Sequence, residues 1–212
     1  MARHGQTQWN VEGRWQGSTD IPLDDIGQTQ ANILAERLGR YPIQAVYTSP
    51  LSRAAVTAEA SAKKLGLEVN YHDGLKEICL GDWEGLNLPE IRMKHPAEYA
   101  KWESDMGAQV GMGVESNHDA QMRGQAALLE ICETEKKDTL IVSHGGLINR
   151  LVCWLLHIPL KKRTSFRIQN TGLCVVECFF SEDEPRFQVI TLNDFSHLQM
   201  SKTGAGLALT TF

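Results

Sequence analysis

Thr139-Leu140-Ile141-Val142-Ser143-His144-Gly145-Gly146 is the stretch on which the fold turns. Thr139 to Ser143 is a short apolar run without polar alternation, which is the pattern of a strand covered on both faces. Gly145 to His157 follows at once as a strongly apolar helix. A buried strand that passes directly into a helix is the repeating unit of a parallel sheet layered by helices.

The neighbouring segments extend that unit in both directions. Upstream, His118 or Asp119 begins a helix to about Lys137. Before it, Gly74 to Gly113 loosens into a loop, helical pieces around Pro89–His95 and Pro96–Asp105, and a Gly/Met-rich segment. This predicts a helical insertion, about 86–117, over one end of the sheet. Leu67–Tyr71 and Ile43–Thr48 read as strands, separated by an alanine-rich helix that Ser49-Pro50 opens and that ends near Leu65. Asp24 or Asp25 caps an earlier helix, whose Ile26, Ala31, Leu34, Ala35 and Leu38 keep helical spacing until Gly39 stops it. Downstream, Leu173–Phe180 and Phe187–Leu192 supply the last strands. The predicted class is α/β: a three-layer sandwich with a mostly parallel sheet, helices on both faces and a helical insertion over the active site. Residues 1–199 are read as one domain and 200–212 as a flexible tail. One conflict stands out, since only Met1 and Ala2 precede Arg3: the strand expected there is either very short or clipped away.

Composition narrows the function. A chain of 212 residues with 42% hydrophobic content and a net charge of -5 can bury a sizeable core and offers no general surface for nucleic acid or membranes. No apolar run reaches the roughly 18 residues that span a bilayer, and no signal pattern opens the chain, so a cytoplasmic protein is expected. The five cysteines form no C-x-x-C pair and read as reduced thiols. Cys174 and Cys178 with His197 make a poor metal set, being four residues apart on one strand.

In open α/β sheets ligands sit beyond the carboxyl ends of the strands. Three motifs fall there: Arg3-His4-Gly5, Ser49-Pro50-Leu51-Ser52-Arg53, and Ser143-His144-Gly145-Gly146. Together they could serve phosphoryl transfer. Neutral His4, its pKa lowered by Arg3 and Arg53, can attack phosphorus, while the guanidinium groups hold the phosphate oxygens. A protonated His144 would add a third cation, and the helix start at Gly145-Gly146 would point N–H groups at the anion. A leaving oxygen needs a proton, for which Glu77 is the candidate acid, with Asp82 and Glu84 competing from the same stretch. Singly, each residue has an innocent reading as surface charge, loop carboxylate or packing histidine, and Trp9, Trp15 and Trp83 read equally as packing or ligand contacts. Their joint occurrence carries the argument.

Arg3-His4-Gly5-Gln6-Thr7 with Trp9-Asn10, Gln16-Gly17, Pro22-Leu23, Tyr47-Thr48-Ser49-Pro50-Leu51-Ser52-Arg53-Ala54, Glu77-Ile78, Leu80-Gly81-Asp82-Trp83-Glu84-Gly85 and Ser143-His144-Gly145-Gly146 resemble the histidine phosphatase (phosphoglycerate-mutase-like) superfamily. The resemblance runs to Asn193-Asp194 and Ser196-His197-Leu198, which look like the family's ending. It implies that His4 is phosphorylated, that Arg3, Arg53 and His144 bind the phosphoryl group, that Glu77 acts as acid and then base, and that Asn10 contacts the same phosphate. Gln16, Gly17 and Gly145 are the further substrate-binding candidates, and neither a metal nor another cofactor is implied. Leu80 to Gly85 leading into Pro89-Glu90-Ile91 resembles the short broad-specificity phosphatases, whereas Gly113-Val114-Glu115-Ser116 stands where Gly-Gly-Glu-Ser is usual.

The expected activity is therefore a metal-independent phosphomonoesterase working through phosphohistidine on a small phosphorylated metabolite, as a monomer or homodimer. Met93, Trp102, Met106 and Met112 of the insertion are expected to form an apolar cover that favours a small or partly apolar ester. The rival readings are a phosphoglycerate mutase, a non-catalytic phospholigand-binding module and, more weakly, a metal phosphatase, for which aspartate clusters are absent.

Overall fold

The computed structural model describes residues 1–180 and 185–199. Its sheet runs β3-β2-β4-β1-β5-β6, with β1 at Ala2–Arg3, β2 at Ala45–Thr48, β3 at Val69–Tyr71, β4 at Thr139–Ser143, β5 at Leu173–Phe179 and β6 at Arg186–Asp194. β1, β2, β3 and β4 pair in parallel, and β5 runs antiparallel to both of its neighbours. The helices are α1 (Gln8–Val11), α2 (Asp25–Leu38), α3 (Ser52–Leu65), α4 (Leu88–Lys94), α5 (Pro96–Ser104), α6 (Asn117–Glu135), α7 (Gly145–Leu155) and α8 (Ser196–Gln199).

Alternation along β4 makes the three layers. Leu140 and Val142 pack with Leu34 and Leu38 of α2 and with Ala54, Ala58 and Ala62 of α3. Ile141 points to the other face, against Ala127, Leu128 and Ile131 of α6 and Leu155 of α7. The run is apolar because both faces are dry. The row of alanines on α3 lets that helix lie close to the sheet.

The strand expected before Arg3 is present but only two residues long. It survives because it is central: Ala2 lies opposite Val142 on one side and Leu173 on the other. Hydrogen bonding continues past its ends, from the terminal ammonium to Cys174 O at 2.7 Å, from Cys174 N to Met1 O at 2.8 Å and from His4 N to Ser143 O at 2.9 Å.

Several boundaries differ from the sequence reading. α3 begins at Ser52, because Leu51 is extended and forms the N-cap, so Pro50 lies outside the helix. Asp20, from a distant loop, accepts from Ser52 N and Ser52 Oγ at 2.7 Å each and so caps α3 instead. α6 begins at Asn117, since Ser116 Oγ, and neither His118 nor Asp119, caps it by accepting from Asp119 N. β2 starts at Ala45, and β6 continues to Asp194. Asp24 is the cap of α2, accepting from Gly27 N. The tail from Met200 onward lies outside the described residues.

The insertion has its own core, in which Trp83, Ile91, Tyr99, Trp102, Val110 and Val114 pack together. That core explains Val114 in the departure noted above: it is buried there, while the neighbouring Glu115 pairs with Arg123 at 2.9 Å.

α2 is pressed against the strand end that carries His4. A Cβ built on Gly27 would stand 2.0 Å from Gln6 O, and one on Gly5 would stand 2.5 Å from Gly27 O. Gly27→Ala would gain up to about 1 kcal/mol by helix propensity alone, so the contact decides the sign. Urea unfolding should show a net loss of about 1–3 kcal/mol for Gly27→Ala; an unchanged or higher midpoint would disprove the close approach.

Candidate active site

The carboxyl ends of β1, β2 and β4 open into a cavity of about 990 Å³. Of the residues singled out in the sequence, Arg3, His4, Asn10, Gln16, Gly17, Arg53, Glu77 and Gly145 all line it. His144 does not: it is fully buried behind His4, with the two ring centroids 5.2 Å apart.

His4 is oriented by its neighbour. Its Nδ1 lies 2.6 Å from Gly5 O, and because a carbonyl can only accept, Nδ1 carries the proton and Nε2 keeps its lone pair. Burial first, then the charges of Arg53 and Arg3, hold the imidazole well below the usual histidine range. The sequence argument credited the arginines alone, but desolvation leads. Gly5 N donates to Thr57 Oγ1 at 3.0 Å, and Thr57 Oγ1 donates to Arg53 O, so α3 fixes both the backbone beside His4 and that of Arg53.

The same forces act on His144, whose pKa is held well below the usual value by burial and then by Arg53. It is therefore neutral here, and the expected third cation is absent at neutral pH. Its Nε2 lies 2.8 Å from Ser49 Oγ. That hydroxyl also accepts from Leu51 N. Nδ1 has no partner, and neither do Arg3 Nε and Arg53 Nε. Three of the terminal nitrogens of these arginines are held by backbone carbonyls: Arg3 Nη1 by Ile168 O, and Arg53 Nη1 and Nη2 by Thr19 O and Gly17 O, each at 2.8 Å. The site thus offers a set of fixed, buried donors that an incoming oxyanion can satisfy.

The start of α7 does something other than bind that anion. Gly146 N and Leu147 N donate to Glu77 Oε2 and Oε1, each at 2.9 Å, and Ile78 N adds a bond to Oε1 at 3.0 Å. The helix N-terminus holds the carboxylate, and a Cβ on Gly146 would meet Glu77 Oε1 at 2.4 Å. Arg123 of α6, not singled out in the sequence, donates to the carbonyls of Gly74 and Lys76 and steadies the stretch that carries Glu77.

The competing carboxylates are placed elsewhere. Glu84 accepts from Ser18, Thr19 and Leu80. Burial works to raise its pKa, but those bonds carry it below the usual value. It is a strut for the 17–19 turn, where Gly17 has φ +53° and no room for a Cβ beside Glu84. Asp82 is exposed. Asn10 Oδ1 accepts from Thr7 N and Asn170 Nδ2, and Gln16 Oε1 accepts from Thr7 Oγ1.

The expected apolar cover is corrected by the structure. Met93 and Met112 face solvent, 73% and 78% exposed, and Met106 packs its sulfur on Arg163. Trp102 does face the cavity, as do Trp9 and Trp15, while Trp83 is wholly internal. Arg14, Arg92, Arg150, Arg163 and Arg167 also line the cavity, so it is strongly cationic. Arg150 was legible in principle, being the one charged residue of a largely apolar helix and one turn from Gly146. Among the described residues no three His, Cys, Asp or Glu side chains gather as a metal-ligand set, and all five cysteines are free thiols.

The sequence profile of the histidine phosphatase superfamily (branch 1) matches residues 1–194. The chain is 32% identical over 199 residues to phosphoserine phosphatase 1 of Hydrogenobacter thermophilus, covering 93% of this chain and 92% of that one. It is 35% identical over 168 residues to the glucosyl-3-phosphoglycerate phosphatase of Mycobacterium tuberculosis, covering 75% of each. Among solved structures, phosphoserine phosphatase from Entamoeba histolytica in complex with 3-phosphoglyceric acid superposes with a TM-score of 0.81 at 32% identity, covering 93% of this chain and 96% of that one.

The buried imidazoles set a pH dependence of stability. His4 and His144 titrate well below the ordinary 6.5, and His197, lowered by burial and then by Arg37, titrates at about 4. All three are neutral when folded, whereas the unfolded chain takes up protons below about pH 6.5. Stability is therefore full above that value and lost as pH falls towards the folded pKa values, by up to about 1.4 kcal/mol per pH unit for each histidine. Urea unfolding at about pH 7.5 and about pH 5 should show this loss, with a shallower slope in His197→Gln; a flat or opposite profile would contradict the assignment.

Proposed function

The chain belongs to the histidine phosphatase superfamily, branch 1, and from that premise we propose that it is a phosphomonoesterase that hydrolyses small phosphate esters through a phosphohistidine at His4. The observation that carries this reading is the buried neutral His4, its proton fixed on Nδ1 by Gly5 O, beside the unpartnered donors Arg3 Nε and Arg53 Nε. A phosphoryl group placed there meets a nucleophile on one side and charge-stabilising donors around it. The named activities of the relatives, on phosphoserine and glucosyl-3-phosphoglycerate, support the same class of chemistry.

His4 Nε2 attacks phosphorus, the P–N bond forms as the P–O bond breaks, and Glu77 gives a proton to the leaving alcohol oxygen. Oε2 of Glu77 accepts one N–H where Oε1 accepts two, so Oε2 is the oxygen with room for that proton. Glu77 then takes a proton from water, which attacks the phosphohistidine and releases inorganic phosphate and the free imidazole. Arg3 and Arg53 hold the equatorial oxygens throughout. Every group in this cycle is a side chain of the chain itself, so phosphate release should survive a chelator.

His4→Ala should abolish phosphate release from phosphoserine and from p-nitrophenyl phosphate alike. Glu77→Gln should cost about 10²–10⁴-fold on phosphoserine and much less on p-nitrophenyl phosphate, whose leaving group needs no proton. Isomerised phosphoglycerate in place of free phosphate, on adding a bisphosphate primer, would move the chain to the mutases. Turnover that persists in His4→Ala would remove the phosphohistidine altogether.

A further inference from the structure

Two arginines in the cavity stand apart from the phosphate donors. Arg150, on α7, is 7% exposed and Arg163, in the turn at Leu160–Ser165, is 4% exposed, yet both line the cavity. Both lie against one indole, that of Trp102 on α5, at 5.9 Å and 4.9 Å from its ring centre. Among the described residues neither forms an ion pair with a carboxylate, in contrast to Arg14, which is paired with Glu12 and Glu90. Arg150 Nη1 donates to Gly146 O and Nη2 to Asn117 Oδ1, while its buried Nε has no partner. Arg163 Nη1 donates only to Met106 Sδ at 3.4 Å, a weak acceptor.

Two guanidinium groups buried side by side repel each other and have each lost hydration. Burial first, then Arg163, lowers the Arg150 pKa to about 10. A fold tolerates such a pair where an anion completes it. The position says which anion. Arg150 stands one helical turn, roughly 5.4 Å, beyond Gly146, whose N–H holds Glu77. Glu77 faces the leaving oxygen under the reading above, so the alcohol part of the ester extends past it towards Arg150. Asn117, itself fully buried, bridges Arg150 Nη2 to Trp102 O and fixes the guanidinium against the indole.

We propose that Arg150, Arg163 and Trp102 form a second anion subsite that binds a carboxylate on the alcohol portion of the substrate, making the enzyme selective for phosphate esters of small hydroxy acids. A carboxylate matches the planar edge of a guanidinium and brings one charge to a site whose terminal nitrogens are already partly engaged. This proposal rests on the phosphatase reading for its orientation, though its binding test does not require turnover.

The test compares O-phosphoserine with O-phosphoethanolamine, which differ only by the carboxylate. Wild-type kcat/KM should favour phosphoserine by about 10- to 100-fold, the span of one charge-assisted contact. Arg150→Met and Arg163→Met should each pull that ratio towards unity, with Arg150→Lys intermediate; equal loss on both esters would mean a structural role and overturn the subsite. His4→Ala, titrated calorimetrically with the same two ligands, should show the same preference in Kd. Equal affinities there would overturn the proposal. A preference in binding with no turnover in the wild type would instead sink the phosphatase reading and leave the subsite standing. An ester carrying a second phosphate in place of the carboxylate, if it outcompetes phosphoserine, would overturn the carboxylate assignment.

Discussion

The carboxylate of Glu77 on the N-terminus of α7 is the interaction to which the rest of the site is tied. It supplies the opposing charge that both Arg3 and Arg53 feel, it occupies the N–H groups that open the helix, and it brings the post-β3 stretch to the carboxyl end of β4. Ser143 Oγ, at that end, donates to Leu75 O at 2.8 Å, and Arg123 grips the carbonyls on either side. The Glu77 carboxylate is therefore positioned by the sheet, by α6 and by α7 together. Gly146 is required for the same reason, since any Cβ would enter the carboxylate.

How far the sequence could be read follows from which forces are local. The β4–α7 unit was legible because a strand with two dry faces must be apolar throughout and a helix on its heels must carry a stripe. The candidate site residues could be picked out because phosphoryl chemistry calls for their types at strand ends, and the structure brings Arg3, His4, Arg53 and Glu77 to one cavity. Helix starts were less so. Ser116 and Asp20 are chosen by capping geometry, and Asp20 caps α3 from a different part of the chain, which no local pattern contains. The first strand was the sharpest case: two residues satisfy no periodicity, yet flanking ladders on β4 and β5 make them a strand. Long-range pairing decided it.

The insertion shows the opposite failure. Its methionines suggested a lid, but composition does not tell which way a side chain points, and Met93 and Met112 point out. What closes the cavity is an aromatic cluster in which Trp15, Trp83, Tyr99 and Trp102 meet with ring centres 5.6–6.4 Å apart. That cluster anchors the insertion to the 15–17 loop and offers the arginines an indole. The two arginines against that indole come from α7 and the turn after it, and of the cavity's other arginines only Arg92 lies in the insertion, so the character of the pocket could not be read from the insertion alone.

The distribution of unsatisfied groups ties stability to function. A buried polar atom without a partner costs about 1–3 kcal/mol, and such groups should be scattered if they were accidents of packing. Among the described residues they are Arg3 Nε, Arg53 Nε, Trp83 Nε1, His144 Nδ1, Asn149 Oδ1 and Arg150 Nε. The residues other than Trp83 and His144 line the cavity at the carboxyl ends of the strands, and His144 lies behind His4. The three unpartnered guanidinium nitrogens, of Arg3, Arg53 and Arg150, therefore share one cavity, to which Asn149 adds an unpartnered acceptor. Under the proposed reading a phosphate dianion beside His4 would satisfy Arg3 and Arg53, and since these donors are fixed by backbone carbonyls on their other sides, little reorganisation would accompany the exchange. Binding strength and chemistry then draw on the same charge imbalance, with stability lost in the empty site returned where the phosphoryl group must be held.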